Sequence, residues 1–145
     1  MKIKLDGIID SELKEFLLSQ DGITNVDINY DDKFINVNIK FNKKLNPLII
    51  MKYIELFEDN KYPNLVEFNK EYEGKTKKLK YIVDDMCCSY CYEKLVMDLF
   101  ENDKIQAVKS NFNFKNPAFN IEFLIEYSED YNEEDLIKYI KDNYS

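Results

Sequence analysis

Histidine, arginine and tryptophan are missing from this 145-residue chain. Without imidazole there is no Ser-His-Asp or Cys-His catalysis and no histidine metal ligand, and proton transfer near neutral pH would fall to a strongly shifted Cys, Lys or carboxylate. A protein that is not an enzyme is expected. Without guanidinium there is no bidentate clamp on phosphate, and a net charge of −8 repels nucleic acid and anionic lipid. DNA and RNA are excluded as main partners. Only three glycines are present and no Gly-rich phosphate loop can be assembled, so nucleotide binding is not expected. Long apolar runs are also lacking. The longest, Leu48 to Met51, is four residues, against roughly 18 for a membrane span, so no membrane insertion is expected. The stretch Met1 to Asp6 alternates charge with hydrophobe and has no signal-peptide core, which points to the cytoplasm.

What is present is a core-forming sequence, 45% hydrophobic and 14% aromatic, enough for one ordinary core or two small ones. Residues 1–74 carry 10 lysines and 14 acids, and residues 75–145 again carry 10 and 14. The halves match in pattern too. Met1 to Gly7 reads as a strand, Asp10-Ser11 as a cap, and Leu13, Phe16 and Leu17 as the apolar stripe of a helix ending by Asp21-Gly22. Val26, Ile28 and Tyr30, then Ile35, Val37, Ile39 and Phe41, alternate with polar residues across an Asp31-Asp32 turn, as in a hairpin with one wet face. Asn46-Pro47 opens a helix in which Ile50, Ile54 and Phe57 share a face, and Leu65 to Tyr72 supplies a last strand.

The second half repeats the order. Lys78 to Val83 is a strand, and Ser89 caps a helix striped by Tyr92, Leu95, Val96 and Leu99. Val108, Phe112 and Phe114 lead to an Asn116-Pro117 turn and the alternating run Phe119 to Tyr127. Asn132 caps a last helix with Leu136, Ile137, Ile140 and Tyr144 on its inner stripe. The fold class expected is α+β, two ferredoxin-like βαββαβ units in tandem over residues 1–73 and 78–145, the second lacking its last strand. Gly74 and its neighbouring lysines make the joint. In such a unit the fourth strand pairs with the first, so Leu79 to Val83 is left as an open edge, a place for a symmetric homodimer or an edge guarded by Lys78 and Lys80.

All three cysteines fall within five residues, in Asp84-Asp85-Met86-Cys87-Cys88-Ser89-Tyr90-Cys91. A Cys-x-x-Cys spacing arises by accident in roughly 4% of chains of this composition. The cluster lies between a strand and a helix, with Cys91 in the first helical turn, where the helix dipole favours a thiolate. An inert core pair and a thioredoxin-like redox pair are the alternatives. The redox pair lacks a parallel βαβ core and a facing proline.

Met86-x-Cys88-x-x-Cys91, between first strand and first helix, resembles the metal loop of the heavy-metal-associated (HMA) domain, found in copper chaperones and in heavy-metal P-type ATPases. The resemblance implies Cys88 and Cys91 as ligands, with Met86 turned into the core and Tyr144 near the loop. It runs through the first half as well, but there Asp10 and Leu13 stand near the ligand positions and the chemistry is lost. Cys87 offers a third thiolate and Asp84 or Asp85 a carboxylate. Two thiolates suit Cu(I), whereas Zn(II) and Cd(II) want about four donors. The expectation is a metal-binding protein, chaperone-like or buffering, that carries Cu(I) ahead of Zn(II) or Cd(II) and exchanges it with a metal-transporting ATPase or another thiol-bearing acceptor. The competing expectation is a non-metal interaction module whose cysteines are vestigial.

Overall fold

Short alternating apolar runs, separated by polar turns, fold into seven strands and four helices among the described residues of a computed structural model, which are 1–6, 12–31, 34–61, 64–84, 89–112 and 120–144. In chain order they are β1 (Lys2–Asp6), α1 (Glu12–Leu18), β2 (Ile23–Asp31), β3 (Phe34–Phe41), α2 (Pro47–Lys61), β4 (Asn64–Asn69), β5 (Thr76–Val83), α3 (Ser89–Glu101), β6 (Ile105–Ser110), β7 (Ile121–Ser128) and α4 (Glu133–Tyr144). The fold is mixed α+β with antiparallel strand pairing. Two units divide the chain, Met1–Lys70 and Glu71–Ser145. No helix among the described residues is long and apolar enough to cross a membrane.

In the first unit the strands lie in the order β2-β3-β1-β4. β1 is therefore central, with Ile3 opposite Val37 and Phe68, and Leu5 opposite Ile35 and Leu65. Those side chains are buried together with Leu13 and Leu17 of α1 and Ile50, Met51, Ile54 and Phe57 of α2. Phe16 of α1 meets Phe57 of α2 at 5.6 Å between ring centroids. The α2 start follows the sequence reading: Leu48 N–H donates to Asn46 Oδ1 at 3.0 Å, a cap that contributes about 1 kcal/mol. Gly22 turns the chain from α1 into β2 at φ +90, and a Cβ there would lie 3.1 Å from the Leu45 side chain.

One reading of β2 is corrected. Val26 is buried, but Ile28 is only half-buried and Tyr30 is 59% exposed. β2 is the outermost strand of its unit, hydrogen-bonded within it to β3 alone among the described residues, so the alternation that packs on the core at Val26 runs out into water at Tyr30.

In the second unit the order is β6-β7-β5. Tyr81 lies opposite Phe123 and Val83 opposite Ile121, while Val108 lies opposite Ile125. Val83, Ile105, Val108, Ile121, Phe123 and Ile125 are buried with Tyr92, Leu95, Val96 and Leu99 of α3 and Leu136 and Ile140 of α4. Asn132 caps α4, its Oδ1 accepting from Glu134 N–H at 2.8 Å. β5 starts at Thr76, two residues before the alternation that marks it in the sequence, and Thr76 Oγ1 donates to Glu126 of β7 at 2.6 Å. β5 stands at the end of the strand order, bonded to β7 alone among the described residues. Asp10-Ser11, the Asn116-Pro117 turn, Phe114 and Phe119 lie outside the described residues.

Candidate metal-binding loop

The cysteine cluster is framed by two elements of the second unit. β5 brings the chain in, its last residue Val83 buried, and Asp84 follows at the surface. α3 takes it out from Ser89, so Cys91 is the third helical residue, in the first turn. Between them, Asp85, Met86, Cys87 and Cys88 lie outside the described residues, as does the side chain of Tyr144. Cys91 is thus the one described cysteine, and it is half-buried. No acidic residue stands in the first turn of α3, so no helix carboxylate there offsets the positive end of the dipole beside this thiol.

The residue after Cys91 locks that turn in place. Tyr92 is wholly buried, its ring stacked on Phe112 at 4.3 Å and 10° and on Phe123 at 5.8 Å and 22°. Its hydroxyl lies 2.7 Å from Ser110 Oγ at the end of β6. The end of the β6–β7 hairpin is itself tied, since Asn111 N–H donates to Glu122 O at 3.3 Å and Glu122 N–H to Asn111 Oδ1 at 3.0 Å. Through this brace, the first turn of α3 is anchored to β6 and β7. Ser110 and its partnership with Tyr92 are absent from the sequence reading. The available signal was a hydroxyl where the β6 alternation Val108, Ser110, Phe112 calls for an apolar side chain.

Two titratable groups flank the loop. Burial and then the Asp84 carboxylate hold the Tyr81 phenol above its ordinary range. Burial likewise raises the Glu93 carboxyl in α3. Among the described residues no three His, Cys, Asp or Glu side chains come together to hold a metal ion. In the first unit the corresponding position after β1 is filled differently: Leu13 of α1 is fully buried as a core residue, and Asp10 lies outside the described residues.

No protein-family model matches the chain, and no curated protein matches it. Among solved structures, the solution structure of the N-terminal soluble domains of Bacillus subtilis CopA is similar to 98% of this chain and 88% of that chain, at 17% sequence identity and a TM-score of 0.37. At that TM-score the likeness is too loose to fix either fold or function.

Proposed function

We propose that the chain is a non-enzymatic, cytoplasmic metal-binding protein that holds a soft metal ion through Cys88 and Cys91, with Cys87 as an additional thiolate. The observation behind this reading is the placement of Cys91: it stands in the first turn of α3, three residues beyond Cys88, on the connection that leaves β5. A thiolate there is favoured by the helix dipole, and thiolates select soft ions. The first unit's β-α-β-β-α-β order and the second's β-α-β-β-α order support a reading as tandem ferredoxin-like, HMA-like domains, the first without ligands.

The donor set fits Cu(I) best, because two thiolates complete a near-linear site, while Zn(II) or Cd(II) would draw on Cys87 and Asp84 or Asp85 as well. The metal would leave by ligand exchange, an acceptor thiolate replacing Cys88 or Cys91 one bond at a time. That chemistry calls for a thiol-bearing acceptor, such as a metal-transporting ATPase.

Anaerobic titration of the reduced protein with Cu(I), and separately with Zn(II) and Cd(II), against competing chelators tests the reading. The expected result is tight Cu(I) binding lost in Cys88→Ser/Cys91→Ser, with Cys87→Ser weakening only Zn(II) and Cd(II). Equal Cu(I) affinity in the double variant would sink the site. Failure of all three metals would leave the interaction module, which is supported by the position of β5, bonded to β7 alone among the described residues.

A further inference from the structure

We propose that the outer edge of β5 is a docking site for an extended, acidic segment of a partner protein, which pairs antiparallel with Thr76–Val83 as an added strand. The inference does not depend on metal binding. It rests on a comparison of two strands that hold the same place in their units.

β1 and β5 each pair along one side with the third strand of their unit, Leu5 opposite Ile35 and Val83 opposite Ile121. On its other side β1 has β4, with Phe68 opposite Ile3 and Leu65 opposite Leu5. β5 has no such neighbour among the described residues. The difference shows in burial. Met1, Ile3 and Leu5 are buried, whereas Leu79 and Tyr81, at the matching inward positions of β5, are only half-buried and only Val83 is dry. A strand added beside β5 would complete the cover that β4 gives β1, and its backbone would satisfy the outward N–H and C=O groups.

The chemistry of the occupant is read from the same comparison. Across the β1–β4 pair, Lys4 Nζ lies 4.0 Å from Glu67. β5 presents three lysines, Lys77, Lys78 and Lys80, all exposed, on a chain that is strongly acidic overall. Lys80 reaches Glu122 of β7 at 3.4 Å, but its side chain remains well exposed. Ile82, 50% exposed, and Leu124 of β7 offer an apolar spot among these charges. The matching segment carries apolar residues at alternate positions, to meet Leu79 and Tyr81, and carboxylates at the others. β4 meets β1 with that chemistry across a bulge, Phe68 and Leu65 opposite Ile3 and Leu5 and Glu67 opposite Lys4. A second copy of this chain fits less well, since pairing β5 with β5 gathers the three lysines of each chain along one seam, and facing like charges are destabilising. Lysines on an edge thus turn away strands of their own kind and admit an acidic one.

The test uses the full chain and two synthetic peptides, one alternating Glu with Val and Phe, the other with Lys in place of Glu. Amide hydrogen exchange is read strand by strand, and oligomeric state by light scattering. The acidic peptide is expected to slow exchange in Thr76–Val83 about tenfold at saturation while β1 is unchanged, and the lysine peptide to have no effect. In Lys78→Glu/Lys80→Glu, checked for native circular dichroism, the preference should reverse. Unprotected β5 amides at millimolar acidic peptide would overturn the proposal, as would equal protection by both peptides. A dimer of the chain alone with β5 protected would also overturn it and name a second copy as the occupant.

Discussion

The Tyr92 hydroxyl lies 2.7 Å from Ser110 Oγ, joining the helical turn that carries Cys91 to the last residue of β6. A buried tyrosine needs a partner for its O–H, and the partner here is a serine on a strand distant in sequence. Tyr92→Phe keeps the ring stack and removes only this bond. The expected loss is about 1 kcal/mol, because half-buried Ser110 loses this bond and keeps only the 3.4 Å one that its Oγ accepts from Phe112 N–H. Ser110→Ala should cost a similar amount. Urea unfolding of both single variants and the double variant checks the pairing: a double variant that costs less than the two added together identifies the bond, and strict additivity refutes it.

Gly22 holds φ +90 with Leu45 packed against the site a Cβ would take, 3.1 Å away. The same glycine's carbonyl accepts from Asn42 N–H at 2.7 Å, so the turn has little room to relax. Gly22→Ala is expected to destabilise the first unit by about 1–2 kcal/mol, the cost of a left-handed backbone for an L-residue. Thermal unfolding followed by exchange in β2 and β3 measures it, and an unchanged midpoint would show that the turn yields freely.

Alkaline pH acts on the second unit through its phenols. Tyr127 is raised above 10.0 first by burial and then by the nearby Glu133 carboxylate, with which it also hydrogen-bonds. Tyr139 is raised by burial and by Asp98, Glu101 and Tyr131. Folding favours the neutral phenol, so this stabilisation is complete below the unfolded value and is lost as pH rises through the folded one. Stability should therefore fall above about pH 10, and less steeply in Tyr127→Phe. Denaturant midpoints taken in that range, with phenolate absorbance alongside, decide the point.

Acid acts through Asp130, which accepts from Ser128 Oγ and from Lys104 Nζ at 3.0 Å. The Ser128 bond, followed by that of Lys104, holds its carboxyl below the usual range. The sign is opposite to that of the phenols: the contribution is present above the unfolded value and is lost as pH falls through the folded one. Asp130→Asn is expected to flatten the decline in stability below about pH 4. The side chain is fully exposed, so added salt should shrink the Lys104 share of the effect. An unchanged slope in this variant would assign the acid sensitivity elsewhere.

The elements were legible where a local rule acts alone. Asn46 and Asn132 announce α2 and α4 because a side-chain acceptor before a helical run has one use, and both caps form. Tyr30 was misjudged because period-two alternation records which face a residue is on, and not how far the cover over that face extends. Thr76 lies outside the alternation that marks β5 because its place there is set by cross-strand partners, Ser128 in the ladder and Glu126 through its hydroxyl. In the loop, Cys91 could be placed from the helix stripe that follows it, since Tyr92, Leu95, Val96 and Leu99 set the phase of α3. The Ser110 partner required knowledge of which strand that stripe packs on, and a single sequence does not carry it.

Because tryptophan is absent, the near-ultraviolet signal of this chain belongs to tyrosine and phenylalanine. Tyr92 is the ring with the most fixed surroundings beside the cysteines, stacked on both Phe112 and Phe123. The difference between the near-ultraviolet circular dichroism of the chain and that of Tyr92→Phe, which separates this ring from the other ten tyrosines, therefore serves as an optical probe of the first turn of α3 without an attached label.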